Sequence, residues 1–167
     1  MFVDTNILIY ATRPSSSFHE RAKSALAAAD ASEPRKAVSR QVLREYLAVV
    51  TRPSGGSEAL SMTEALADVA AFAADFEVLE DGPEVARRLV ELCRTVRLAG
   101  RQVHDASIVA TMLAHGEDRL LTLNRSDFQR FEPQIEEALG DLRRYRHGIT
   151  SRSAGRSRAG RSRPSGR

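Results

Sequence analysis

Soft metal ligands are nearly missing from this 167-residue chain: it has one cysteine, Cys93, and four scattered histidines. A single cysteine excludes an intramolecular disulfide, and zinc-ribbon spacing is absent. No uninterrupted apolar stretch approaches the length that spans a bilayer. The N-terminus runs straight into a short apolar segment, without the basic-then-apolar pattern of a secretory signal. The expectation is a cytoplasmic protein with no membrane association.

What remains is ordinary for a globular chain, with 42% hydrophobic and 28% charged residues, enough for one domain with a substantial core. The net charge of +3 hides an asymmetry, because residues 148–167 carry six arginines and no acid. Without those six charges the body is left at −3. The tail is rich in Ser and Gly, almost empty of apolar residues and without an aromatic for base stacking. It is expected to be a disordered basic tail on a folded body of residues 1–147.

Short apolar runs alternate with helical patterns. Residues 2–4 read as a buried strand, followed by a Thr5-Asn6 turn and the apolar run 7–10. Residues 18–29 are Ala-rich and helical, and 36–39 form a second short strand. Ser39 is placed to cap a helix over 40–51. Residues 53–57 read as a glycine-containing loop. Ser61 and Glu64 have the form of a capping box that opens a helix to about Asp75. Residues 76–79 are β-like, and Pro83 starts a helix to about Leu98. A helix from Asp105 is stopped by His115-Gly116, and residues 119–123 form the last strand. This alternation predicts an α/β fold, a short parallel sheet flanked by helices in three layers. In such sheets ligands gather at the carboxyl ends of the strands.

Acids stand at unusual places in this pattern. Asp4 ends the first strand. Glu45 falls on the side of its helix that carries Val42, Tyr46 and Val49, and Asp105 shares a face with Ile108, Val109 and Met112. Asp127 follows the last strand. An inward carboxylate is costly unless paired, hydrogen-bonded or bound to a cation. Oxygen donors without sulfur or imidazole suit magnesium or manganese. Taken singly, each acid has a plainer reading: Asp4 as a turn former, Asp105 as a helix cap, Glu45 paired with Arg40 or Arg44, Asp127 as a cap before Phe128.

The ordered set resembles a family. Val3-Asp4-Thr5-Asn6 followed by an apolar run looks like the opening of a PIN-domain ribonuclease. The segments around Ser39–Tyr46, Val49–Pro53, His104-Asp105-Ala106 and Leu121–Phe128 resemble further blocks of that family, in order, over residues 1–133. The similarity is greatest to VapC-type toxins of bacterial toxin–antitoxin pairs. One departure is Asn124, where many relatives carry an acid; Asp127 is the nearby carboxylate.

The resemblance implies a metal-dependent endoribonuclease using Mg²⁺ or Mn²⁺. Asp4, Glu45 and Asp105 would be metal ligands and Asp127 would complete the catalytic set. Thr5, Asn6, Thr122 and Asn124 would orient these acids by hydrogen bonds. It implies an RNA substrate, a cognate antitoxin and a homodimer, with the Ala-rich helices over 18–29 and 61–75 as candidate dimer or antitoxin faces. Arg13, Arg52, Arg101 and Arg125 are candidate phosphate contacts. The alternative is a non-catalytic RNA-binding or scaffolding PIN domain. An aspartyl-phosphate phosphatase ranks lower, since Asn6 stands where that chemistry needs a second carboxylate.

Deleting residues 148–167 is expected to leave the thermal unfolding midpoint unchanged. Any loss of RNA affinity should be modest and shrink as salt rises. Paired melting curves and salt-dependent binding isotherms check this; a large drop in the midpoint would show that the tail packs on the body.

Overall fold

The computed structural model describes residues 1–32, 35–53, 59–132 and 135. The basic tail and most of the 53–57 loop lie outside the described residues. Four strands form one parallel sheet: β1 (Phe2–Val3), β2 (Ala37–Ser39), β3 (Glu77–Leu79) and β4 (Leu120–Leu121), in the order β3-β2-β1-β4. The helices are α1 (Thr5–Thr12), α2 (His19–Ser32), α3 (Arg40–Val50), α4 (Met62–Asp75), α5 (Pro83–Thr95), α6 (Gln102–Ala114) and the single-turn α7 (Arg125–Phe128).

The topology follows from handedness. Parallel crossovers are right-handed. The chain steps one way from β1 through β2 to β3, then crosses back over β1 to β4. Steps in opposite directions put α1–α4 on one face and α5–α6 on the other. The helix pairs that touch agree, since α1 packs on α2 and α3, α3 on α4, and α5 on α6. Strand order therefore reverses between β1 and β4. A crevice opens there at the carboxyl ends, where open α/β sheets bind ligands.

The strands are short and almost wholly apolar, as expected when helices cover both faces. Phe2, Val3, Val38, Ile7, Leu8, Tyr46, Ile108, Val109, Met112, Phe128 and Phe131 form the core, each at most 2% exposed. Among the described residues no helix is long and apolar enough to cross a membrane.

Two expected caps are present. The Ser39 hydroxyl accepts from the Val42 N–H at 3.2 Å, and Ser61 with Glu64 forms the full capping box. The expected helix stop holds as well, with Gly116 at φ +69° just past the α6 C-cap His115.

Three expectations need correction. Thr5-Asn6 is not a turn but the first part of α1, whose winding begins at once from the extended Asp4, with the Ile7 N–H bonding the Asp4 carbonyl. Asp105 does not open α6. A turn at Ala99–Arg101, with Gly100 at φ +53°, starts the helix at Gln102. Val49 is 41% exposed, so the buried face of α3 is Val42, Tyr46 and Val50, with Glu45 at its edge.

Arg13, a candidate phosphate contact, is used structurally. Its guanidinium donates to the Val49 and Val50 carbonyls at 3.3 and 3.1 Å and closes the end of α3.

The Tyr46 side chain links α3 to α4 and α1 from inside the core. Its hydroxyl donates to Asp68 Oδ2 at 2.5 Å and lies 3.0 Å from the Thr12 hydroxyl. Burial, with the Asp68 hydrogen bond next, pushes its pKa well above the usual phenol range. Tyr46→Phe keeps the ring and leaves Asp68 short of a donor. It is expected to cost roughly 1–3 kcal/mol in urea unfolding, with the fold retained.

Candidate active site

Asp4 stands at the carboxyl end of β1, where the strand order reverses, and is 6% exposed. Its backbone N–H bonds the Leu121 carbonyl on β4 at 3.0 Å, which sets the two strand ends side by side. Although Asp4 occupies the N-cap position of α1, it makes no side-chain capping bond. Its carboxylate is instead held across the crevice. Thr122, directly after β4, donates its hydroxyl to Asp4 Oδ2 at 2.7 Å, and Asn6 Nδ2 donates to the same oxygen at 2.5 Å.

The network is closed. Asn6 Nδ2 also donates to the Thr122 hydroxyl at 2.9 Å, while Asn6 Oδ1 accepts the Leu123 N–H at 3.2 Å. The Asn124 N–H donates to Thr122 Oγ1 at 3.0 Å. The Thr122 hydroxyl thus gives its one proton to Asp4 and uses its lone pairs for Asn6 and Asn124, as its donor and acceptor inventory allows. None of these donors carries a positive charge, so the negative charge of Asp4 is oriented but not neutralised.

Glu45 approaches from α3. Its Oε2 accepts the Thr5 hydroxyl at 3.0 Å and its Oε1 accepts Gln41 Nε2 at 2.8 Å. Neither sequence-suggested arginine pairs with it: Arg40 reaches Glu80 at 2.7 Å, and Arg44 faces Asp81 at 3.9 Å. The Glu45 side chain is 32% exposed, so it is half-buried rather than inward-facing. Asp105, in the first turn of α6, and Asp127, on α7, are half-buried too. Only Asp4 carries the full cost of burial.

Asp4 and Asp105 feel the charges of their neighbours. Burial, above all, pushes Asp4 up from 3.8 to about 6. Thr122 and the Thr5 backbone N–H pull it back, while Glu45 and Asp105 add to the rise. Asp105 is likewise raised to about 6 by burial and then by the Asp127 charge, with Arg130 opposing, Glu45 adding and His104 opposing. Asp4, Glu45 and Asp105 are thus near enough to act through their charges, and Asp127 is near enough to act on Asp105. They are not closed into a ligand cage, since among the described residues no three His, Cys, Asp or Glu side chains form a ready metal-holding group. The donor set is hard oxygen, with neutral donors alone found on Asp4 among the described residues, which fits a small divalent cation in kind.

Asn124 and Asp127 prove to be one unit, because Asn124 Nδ2 donates to Asp127 Oδ2 and Ser126 Oγ donates to Asn124 Oδ1 at 2.9 Å. The sequence reading missed two residues. Gln41 braces Glu45 and also donates to the His104 carbonyl at 3.0 Å. Arg130 is the cation nearest in effect to Asp105, and its buried Nε has no hydrogen-bond partner among the described residues. Gln41 could have been found four residues before Glu45 on one helix face, and Arg130 three after Asp127.

Residues 1–132 match the family model of the PIN domain. The chain belongs to the PIN-domain family. Ribonuclease VapC24 of Mycobacterium tuberculosis is 33% identical over 135 residues, which cover 77% of this chain and 89% of that protein. Two solved structures share the PIN fold. Mycobacterium tuberculosis VapC20, a Sarcin-Ricin loop cleaving toxin, superposes with a TM-score of 0.60 at 19% identity, over 75% of this chain and 91% of its own. VapBC2 from Rickettsia felis, bound to a DNA fragment from their promoter, gives a TM-score of 0.54 at 20% identity, over 77% and 90%.

In this PIN domain the raised pKa of Asp4 has a consequence for stability. A carboxyl whose pKa rises on folding binds its proton more tightly when folded. Its contribution is complete below about 3.8 and is lost as pH rises through about 6. The gap corresponds to about 3 kcal/mol at neutral pH and above, as an upper bound. In EDTA, Asp4→Asn should therefore be more stable than the parent at pH 8, by up to that amount. The advantage should shrink as pH falls from 6 towards 4, as measured by urea unfolding at a series of pH values.

Proposed function

We propose that this chain is an endoribonuclease toxin of a toxin–antitoxin pair, with Asp4, Glu45, Asp105 and Asp127 as its catalytic set and Mg²⁺ or Mn²⁺ as cofactor. The reading is supported by the mutual charge effects of Asp4, Glu45 and Asp105, with Asp127 acting on Asp105, and by the neutral donors that, among the described residues, hold the buried Asp4. The similarity to Ribonuclease VapC24 supports RNA as substrate. A small antitoxin encoded next to this chain and a homodimeric assembly are part of the same proposal.

Each residue has a part. Asp4 and Asp105 would hold the cation, and Glu45 would bind it directly or through a water. Asp127 would supply the fourth negative charge. A bound divalent ion would neutralise these acids, make its water easier to deprotonate and offset charge on the phosphate. Thr122 and Asn6 fix the rotamer of Asp4, while Thr5 and Gln41 fix that of Glu45. Asn124 steers Asp127, so the charge missing at position 124 is offered three residues later. That arrangement favours the catalytic reading over the non-catalytic alternative, whose motive was Asn124.

Purified protein incubated with total RNA and Mg²⁺ or Mn²⁺ should yield defined cut ends, and EDTA should abolish them. Asp4→Asn should abolish both cleavage and growth inhibition while remaining soluble and folded; full toxicity of that variant would rule out the mechanism. In metal titrations Asp127→Asn should lose much more affinity than Asn124→Ala. The reverse order would make Asn124 the fourth ligand.

A further inference from the structure

The side of Glu45 that faces away from Asp4 opens onto a cleft. It lies between α3, α5 and α6, has a volume of about 330 Å³, and is lined in part by Gln41, Arg44, Glu45, Leu89, Val103 and His104. Glu45 is the shared wall. Its Oε2 takes the Thr5 hydroxyl beside Asp4, and its Oε1 takes Gln41 and stands 3.8 Å from His104 Nδ1 at the cleft. We propose that this cleft holds one nucleotide of a single-stranded RNA, the one adjoining the phosphodiester that the acids address. The inference rests on the nuclease reading and gives it a substrate-positioning site.

The lining has the parts that a nucleotide needs. Its volume is at the low end of small-molecule sites, which run from about 300 to 1,000 Å³. Arg44 is 63% exposed, and Asp81 at 3.9 Å is too far for a direct hydrogen bond, so its planar donors are available to a phosphate. The His104 side chain is 70% exposed and offers an aromatic face for stacking. Val103, 40% exposed, and Leu89 offer apolar surface to a base. Gln41 spends its two N–H donors on Glu45 and the His104 carbonyl. Among the described residues its carbonyl oxygen is left as an acceptor, which suits a base edge that presents an N–H donor. A cleft that ends on a carboxylate of the acidic centre also gives the strand a direct path to it.

The test is binding of a fluorescein-labelled hexaribonucleotide to the full chain in EDTA, followed by steady-state cleavage with Mn²⁺. His104→Ala should weaken binding roughly fivefold or more. Arg44→Gln should weaken it several-fold, reduce the salt slope of log K by about 0.7, and raise KM with kcat little changed. Arg21→Gln on α2, outside the cleft, is the charge-matched control. If either cleft variant binds and cleaves like Arg21→Gln, the proposal is overturned. If the parent binds RNA with these sensitivities yet cuts none with either metal, the cleft stands and the nuclease reading falls.

Discussion

The structure turns on one buried carboxylate. Asp4 is the residue at which the first strand, the first helix and the last strand meet, and its contacts are what join them. Both edges of the β1/β4 crevice are very short strands, so their ladder alone gives little rigidity. The Thr122 and Asn6 hydrogen bonds to Asp4 add the missing side-chain bridge. That bridge uses neutral donors, and neutrality is the point. An arginine in the same place would have stabilised the fold and cancelled the charge that the proposed cation would need. The site thus keeps an electrostatic debt inside the protein, and everything around it is arranged to orient the charge rather than to remove it.

Much of this was legible in the sequence, for reasons that can be named. The apolar runs are dense enough to read as strands buried on both faces, and the helices announce themselves through Ser39, the Ser61–Glu64 pair, Pro83 and Gly116. The acids could be picked out because each interrupts a pattern: a strand end, an apolar helix edge, a helix start, the segment after the last strand. The family blocks then tied them together. What failed was local. Thr5 and Asn6 are poor helix formers and look like a turn, yet the packing of Ile7 and Leu8 in the core keeps them helical. The α6 start was misplaced because its first turn is fixed by the Gly100 conformation, which leaves no periodic signature.

The parts of the site that stayed invisible depend on meetings between distant segments. Nothing near Arg13 says that it will close the end of α3, 36 and 37 residues away. Nothing near Gln41 says that its amide will reach the His104 carbonyl. The acids are chemically conspicuous, and the family resemblance brought Thr5, Asn6, Thr122 and Asn124 with them; Gln41, which braces Glu45, was missed. Even the two candidates for the fourth position prove to be tied together, since Asn124 donates to Asp127.

The distances along the chain spanned by the Asp4 bridge have a meaning for synthesis. Asn6 and Asp4 find their Thr122 partner 116 and 118 residues away. A ribosome adds residues one at a time from the N-terminus, and domains fold as the required segments emerge. Asp4 is made 118 residues before its Thr122 partner, and it waits for that stretch of chain before it can be fixed. Prematurely terminated chains that end before β4 contain Asp4, Glu45 and Asp105 but lack the element that locks the first of them in place. For a protein whose finished form is proposed to harm its own cell, the order of translation itself delays the completed centre until the last strand has been made.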